Sequence, residues 1–483
     1  MLLISFSREG WEQWGLDYEP LIPERMPILI DDDLRFEDES GPRATVVANT
    51  WLRELPINKV PAWRSWWAYA RALLAWLEFL QRYGVDPYGD REELRAALGG
   101  LAEYRLAGPL KERWDVETWN QRVNAMSRFY GWCVDNEHCM NVPFTYSWAR
   151  RFTETGGPRE VRRNNASIRR AQRHVTMKYL EEEFAELFVN ALAGLGPDGM
   201  PSGFRGRMLG RNAAVATFVL SAGLRAQEFT YLLRYEVPGL PPRRTPIPVP
   251  LPLSRAVTKG KKARESWVMY DALARMHQYL DLDREIAASR GLYVPGRGPG
   301  LEVRDPDWEG GHVDGLRRAW RLVLPDERLR LVDEAGCSPL VALQSTGVPF
   351  TDWDTVFRRT SRRIRRDFEP RFPIVSAHTL RHTMAMATLK RLTQGYYEQA
   401  ARLVLDTDED AALALYLTRT EPLLVLRDIL GHSSVLTTEL YVRRLDVRRI
   451  YREAYLRQGR AAGLASPAEE AEAAAEFTDE EDL

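Results

Sequence analysis

Three stretches far apart in this chain each combine cations with groups that can hold or accept a proton. The first, SAGLRAQEFTYLL, sets Arg225 just after Gly223, where the chain turns into a helix. A helix start offers free N–H groups to an anion, and an arginine there adds a planar fork matched to phosphate oxygens. Glu228, three residues on, shares the helix face and can fix the guanidinium. The second, SAHTLRHTMAMATL, holds His378, Arg381 and His382 within about one helical turn. The small apolar residues that follow imply a buried helix end, where an arginine needs an anionic partner or is costly. The third, LRDILGHSSVLTTELYV, breaks a helix at Gly431, continues with His432 and places Tyr441 nine residues later.

Each stretch has a plainer reading when taken alone. An arginine at a helix start is commonly a solvated surface group, and one tyrosine among 19 is by default a packing residue. Taken together they say more. The chain has only seven histidines, and three of them fall in the last two stretches. Arginines, histidines, a tyrosine and the lysines of TKGKKAR, with no set of metal ligands among them, suit phosphoryl transfer to a protein hydroxyl. Such reactions depend on positioning and on neutralising charge on the equatorial oxygens. No metal is expected. The histidine-rich turn has no carboxylate or cysteine to complete a set, and Cys133, His138 and Cys139 do not have a zinc-site spacing.

The elements that must position these residues can be read from periodicity. RSWWAYARALLAWLEFLQRYG repeats apolar residues at spacings of three and four and stops at Gly84. REELRAALGGLAEYRLAG and VETWNQRVNAMSRFYGWCVDN read as two more helices, the latter capped by Asp115. Trp66, Trp67, Trp76, Phe129, Tyr130 and Trp132 are expected in the core of this helical region. TMKYLEEEFAELFVNAL and RMLGRNAAVATFVLSAG read as further helices, the second ending at Gly223. VPGLPPRRTPIPVPLPL is too rich in proline to be helical. SRAVTKGKKARESWVMY reads as two short strands around a Gly-Lys turn. The fold class is therefore mainly α with a small β-sheet (α+β).

The expected organisation has an N-terminal extension or arm over residues 1–58, rich in proline and acid, and a helical domain over 59–150. A basic linker spans 151–173 and a mixed domain 174–465, with insertions near 285–350 and 391–421. An acidic, disordered tail occupies 466–483. No internal repeat is visible.

GLRAQE, HTLRHTMAMATL and LGHSSVLTTELYV resemble the three signature boxes of the tyrosine recombinases, the phage-integrase family. The nine-residue step from the last histidine to the tyrosine belongs to that resemblance. TKGKKAR is similar to the family's β-hairpin lysine segment, and the helical 59–150 region resembles its core-binding domain more loosely. The resemblance implies a helical DNA-binding domain followed by a mixed catalytic domain. It implies that Tyr441 attacks the scissile phosphate to form a 3′-phosphotyrosyl link, and that Arg225 and Arg381 clamp the nonbridging oxygens. Lys259 would protonate the leaving 5′-oxygen, His378 would assist proton transfer at the tyrosine, and His432 would hydrogen-bond the phosphate. Glu228 and His382 would support them from behind. Storage of the bond energy in the covalent link implies that neither nucleotide nor metal cofactor is required. The implied partners are double-stranded DNA and further copies of the chain, four on two recombination sites. The implied setting is a mobile element. Departures from the pattern are the long stretch between Arg381 and His432, the long stretch from Lys259 to His378, and Thr258 before the lysine, where the family has glycine.

Two other readings use the same residues. A type IB topoisomerase-like nicking-closing enzyme shares the tyrosine chemistry, but the full HTLRH box with His378 favours a recombinase. A DNA-binding protein that has lost catalysis would not need the set Arg225, Lys259, His378, Arg381, His432 and Tyr441. A helical scaffold that binds no DNA leaves the arginine runs without purpose.

Composition bounds the rest. Hydrophobic residues make 45% and charged residues 28%, as in a folded water-soluble chain. There is no apolar run of about 18 residues to cross a membrane, and the first residues lack the basic start of a signal peptide. Three cysteines are too few for a disulfide framework. A cytoplasmic location with no membrane partner is expected. The net charge of −1 hides an uneven distribution. The acidic tail holds eight of the acidic residues, and the rest of the chain carries 67 basic against 60 acidic residues, or +7. The tail resembles DNA in its charge and is expected to restrain non-specific binding, unless it serves only solubility. Arginines cluster in two runs. The candidates for phosphate contact are Arg162, Arg163, Arg169 and Arg170 in the first, and Arg362 and Arg363 in the second. Solvated helix faces are the alternative for either run. Binding carried by these arginines should weaken steeply as salt is raised from low to moderate ionic strength, because each neutralised phosphate releases counterions. A flat salt dependence in a DNA-binding titration would refute this.

Overall fold

The computed structural model describes residues 1–39, 41–60, 62–153, 156–168, 178–296 and 298–406, with Leu426, Arg427 and Leu430. The chain divides into two compact units, Met1–His174 and Val175–Leu483. Among the described residues, no helix is long and apolar enough to cross a membrane.

The first unit is built on the aromatic helices anticipated from periodicity. Helix α2 (Trp63–Tyr83) ends at Gly84, whose left-handed backbone lets its N–H reach back to the last turn. Helix α4 (Val116–Asp135) starts where Asp115 accepts a hydrogen bond from the Thr118 N–H at 2.6 Å. Between them lies α3 (Arg91–Ala102), capped in the same way by Asp90. Trp66, Trp76, Trp119, Phe129 and Tyr130 are buried where these helices meet. Burying Trp and Tyr requires partners for their polar atoms. Trp76 Nε1 accordingly donates to the Tyr130 hydroxyl, which donates to the Pro87 carbonyl, both at 2.9 Å.

Two expectations for this unit need correction. Residues 1–58 are not an extended arm. Strands β1 (Leu2–Ser5) and β2 (Pro27–Ile30) pair antiparallel, with Leu2 opposite Ile30, and helix α1 (Ala44–Glu54) packs on β2. Met26, Leu29, Val47, Trp51, Leu52 and Leu55 join the same core as α2 and α4. Apart from Pro27, which opens β2, the prolines and acids that suggested an arm lie between these short elements, so the apolar residues never form a periodic run. The basic segment 151–173 is not simply a linker either. Strands β3 (Tyr146–Thr153) and β4 (Gly156–Asn164) form an antiparallel hairpin that places Arg150 opposite Glu160.

The second unit is organised around α6 (Leu209–Ala222). Most of its residues are buried, because α5 (Glu182–Leu192), α8 (Tyr270–Tyr279) and α10 (Ala377–Asp406) pack against it. A hairpin of β5 (Val249–Leu253) and β6 (Arg264–Val268) lies beside its C-terminal end. The hairpin is real, but its first strand lies in the proline-rich run and not at SRAV. Pro250 and Pro252 alternate with the buried Leu251 and Leu253 and face outward, which a two-stranded edge tolerates. Ser266 Oγ donates to the Ala222 carbonyl at 2.5 Å and Met269 N–H to Ser221 Oγ at 2.8 Å, so β6 is tied to the end of α6.

The region 285–350, expected as an insertion, contains an ordered four-stranded sheet. Strands β7 (Leu301–Arg304), β8 (Gly310–Val313), β9 (Leu316–Ala319) and β10 (Leu331–Asp333) lie in the order β9-β8-β7-β10, the β7–β10 pair being parallel. Val303, Val313, Trp320, Val323 and Leu331 bury a core of their own with Leu233 and Leu340. Arg328, fully buried, ion-pairs with Glu236 and bonds the Tyr231 carbonyl, which anchors the sheet to the segment beyond Thr230. Its strands are three or four residues long, too short to show alternation against the surrounding Gly and Pro. The expected insertion from 391 begins as a direct continuation of α10, and the part beyond Asp406 lies outside the described residues, as does the acidic tail.

Trp51 tests the correction at the N-terminus. It is 3% exposed, stacked on Tyr69 and edge-on to Phe129. Trp51→Ala should destabilise the first unit by about 3–5 kcal/mol in urea denaturation, whereas a change under about 0.5 kcal/mol would mean a loosely attached surface arm.

Candidate functional site

Helix α6 closes at Gly223, which takes φ 62° and returns its N–H to the Val219 carbonyl at 2.8 Å. Glycine is required there twice over. The left-handed backbone disfavours a side chain, and a Cβ would lie 1.9 Å from Met384 Cε on α10. After the buried Leu224, Arg225 caps the short helix α7 (Ala226–Thr230) with an extended backbone. Its own N–H donates to Glu228 Oε2 at 2.7 Å, and its Nη1 donates to Glu228 Oε1 at 3.1 Å. The expected support of Arg225 by Glu228 is thus present in the geometry.

Glu228 has no solvent exposure, and an isolated buried carboxylate would not stay ionised. A second arginine, which sequence reasoning missed, answers this. Arg264 on β6 donates Nη2 to Glu228 Oε2 at 2.6 Å and Nε to Oε1 at 3.3 Å. Burial pushes the Glu228 carboxyl up, but the hydrogen bond and charge of Arg264, with the N–H and charge of Arg225, bring it below its usual range. The only signal in the sequence was a basic residue near the end of TKGKKAR. Nothing local distinguishes Arg264 from the lysines before it.

The HTLRH stretch opens α10, where Ser376 Oγ accepts from the Thr379 N–H at 3.2 Å. Arg381 is 2% exposed. Its Nη1 donates to the Gly223 carbonyl at 2.5 Å and its Nη2 to the Leu430 carbonyl. Arg225 Nη2 also donates to the Leu430 carbonyl, at 3.3 Å. The two arginines therefore meet at one acceptor, two residues before His432. Arg381 also explains why Gly223 cannot shift, since that carbonyl holds one end of its fork.

His378 lies at the solvent side of the helix end and packs edge-on against His382, ring centroids 4.2 Å apart. Burial lowers the His378 pKa, and the charges of Arg381, Arg225 and Lys259 lower it further. Burial, then His378 and Arg381, push His382 down to about 4. Both rings are neutral near pH 7. Lys259 is not at the end of a strand as anticipated. It sits exposed in a single helical turn, Lys259–Lys261, with Gly260 at φ 78°. The Thr258 hydroxyl pins that turn by donating to the Lys262 carbonyl at 2.6 Å.

His432 and Tyr441 lie outside the described residues, as do Arg169 and Arg170. Arg162 and Arg163 are exposed on β4, with Arg162 3.7 Å over the Tyr146 ring. On helix α9 (Trp353–Asp367), Arg362 is exposed, but Arg363 is not a surface cation. It is 8% exposed, lies 3.4 Å over the Phe204 ring and donates to the Ala191 carbonyl. The hydrophobic face of α9 happens to include that position, so Arg363 is corrected from a phosphate candidate to a packing residue. Together the described groups set Arg225 and Arg264 on one carboxylate and Arg225 and Arg381 on one carbonyl, with two imidazoles at the helix end that carries Arg381. Such a site can neutralise an anion and take up a proton.

The neutral His382 has a measurable consequence. Its folded pKa lies below the ordinary 6.5, so protonation opposes folding. The stability it contributes is fully present above about pH 6.5 and is lost as pH falls toward about 4. In urea denaturation across that window, His382→Gln should lose less stability on acidification than the unmutated chain. Parallel curves would show that the ring carries no such linkage.

No protein-family model and no curated protein matches the chain. Among solved structures, the chain is similar to XerH site-specific recombinase bound to palindromic difH substrate in a post-cleavage complex. The TM-score is 0.46 and the identity 13%, covering 86% of each chain. It is also similar to the Tn1549 transposon integrase in complex with transposon right end DNA, with a TM-score of 0.44 and 11% identity, covering 82% of this chain and 94% of that one.

Proposed function

We propose that this chain is a site-specific tyrosine recombinase that breaks and rejoins double-stranded DNA. The observation that carries the reading is the meeting of Arg225 and Arg381, from segments distant in sequence, on the carbonyl of Leu430 just before His432. Two guanidinium forks at one point suit the two nonbridging oxygens of a phosphodiester; two of the boxes that resemble the family supply them, and the third supplies the carbonyl at which they meet.

In this mechanism the Tyr441 oxygen attacks the phosphorus of the scissile diester. A 3′-phosphotyrosyl bond forms as the bond to the 5′-oxygen breaks. Arg225 and Arg381 neutralise charge on the nonbridging oxygens, and His432 adds a hydrogen bond there. His378, neutral near pH 7, can accept the phenolic proton, and Lys259 delivers a proton to the departing 5′-oxygen. Glu228 and His382 hold Arg225 and His378 from behind. A 5′-hydroxyl from a second duplex then attacks the phosphotyrosine and releases the enzyme. The energy of the bond is kept throughout, so neither nucleotide nor metal enters the scheme. Four copies would act on two sites, in the service of a mobile element.

Tyr441→Phe tests the reading, since it removes only the proposed nucleophilic oxygen. On duplexes selected by binding from a random pool, the unmutated protein should leave a denaturation-resistant adduct, in excess chelator as well. Tyr441→Phe should bind the same duplexes with unchanged affinity and leave none. An adduct that persists in the variant overturns the assignment.

A further inference from the structure

We infer that Arg264 is a positioning residue for this reaction, acting through Glu228 to keep the positive charge of Arg225 available to the phosphate. The inference rests on the recombinase reading and extends it to a residue outside the three boxes. Consider Arg225 and Glu228 alone. The carboxylate takes both the backbone N–H and one guanidinium nitrogen of Arg225. A buried pair of that kind cancels its own charge and offers little to an incoming anion. It also leaves the remaining lone pairs of a fully buried carboxylate unsatisfied, which is costly.

Arg264 changes both counts. Its side chain is 8% exposed, and it grips Glu228 through two nitrogens, the shorter contact at 2.6 Å against 3.1 Å for the Arg225 side chain. Arg264 is therefore the main charge partner of Glu228. Arg225, Glu228 and Arg264 together carry one net positive charge, and the member that reaches solvent is Arg225, whose side chain is 25% exposed against 8% for Arg264 and 0% for Glu228. Glu228 is left free to orient Arg225 without neutralising it. The arrangement is rigid. Arg264 stands opposite Leu253 in the hairpin register, and β6 is bonded to Ala222 and Ser221 at the end of α6, immediately before Arg225. Arg264 touches no reacting atom in this scheme, and the effect inferred for it passes through Glu228.

The test compares two scissile linkages at saturating DNA. One is the ordinary diester. The other is a methylphosphonate, in which a methyl group replaces one nonbridging oxygen and removes the negative charge that Arg225 would meet. Arg264→Met should slow cleavage of the diester by about 10–100-fold, the scale on which outer partners of functional ligands act. It should slow the methylphosphonate much less, with DNA affinity unchanged. Equal losses on both linkages would indicate a merely structural role and overturn the inference. So would rescue of Arg264→Met by sulfur at the bridging 5′ position, because that result would assign the residue to Lys259 and leaving-group protonation. If Arg264→Met does not fold, the Glu228→Gln background decides. With the carboxylate neutral, adding Arg264→Met should have no further effect on the diester rate, and a further loss overturns the idea. Failure of the recombinase reading is separately visible. In that case the unmutated protein forms no Tyr441-dependent adduct on either linkage, whereas an adduct formed at equal rates with and without Arg264 refutes this inference alone.

Discussion

A carboxylate with no access to water has to be matched by fixed cations, and Glu228 is the point at which the second unit meets that requirement. Its partners come from two directions. Arg225 arrives from the turn after α6, and Arg264 from the second strand of the hairpin. Because either arginine alone would leave the buried charge poorly satisfied, the helix end and the hairpin must keep their relative places. Arg225 in turn shares the Leu430 carbonyl with Arg381, whose other nitrogen holds the Gly223 carbonyl. One buried charge thus ties together the end of α6, the hairpin, the start of α10 and the segment leading to His432.

The surrounding fold makes that network possible by what it buries. Helix α6 is enclosed on nearly every side, so its C-terminal turn is delivered to a fixed position. Gly223 permits the close approach of Met384 and so brings α10 against that turn. Burial then sets the electrostatics. Burial and neighbouring charges lower the pKa of His378 and His382, while the arginines keep Glu228 ionised. The same low-dielectric setting that would penalise a lone charge strengthens paired ones.

The two basic runs show how little composition says about exposure. Both read as phosphate-binding surfaces. Arg362 faces solvent, yet Arg363 beside it is packed over Phe204, because one residue along a helix rotates the side chain by about 100°. In the other run, β4 holds Arg162 and Arg163 on a hairpin where a linker was expected, and cross-strand pairing, which is non-local, sets them opposite Trp148 and Ser147.

What the sequence determined by itself were the features encoded within one turn or one helix. The periodicity of α2 and α4, the Asp115 cap, the end of α6 at Gly223 and the Arg225–Glu228 pair at i and i+3 all follow from neighbours in the chain, and all are found. Tertiary structure decided whatever depends on distant residues. Pairing of Leu2 with Ile30 turns an apparent arm into core. Four short strands between 301 and 333 build a sheet around Trp320, although none is long enough to announce itself. Arg264 becomes the partner of Glu228 only because β6 is bonded to the end of α6. A residue's type and spacing state what chemistry it can do, but the element that faces it in space decides whether its charge is spent on the fold or left for a ligand.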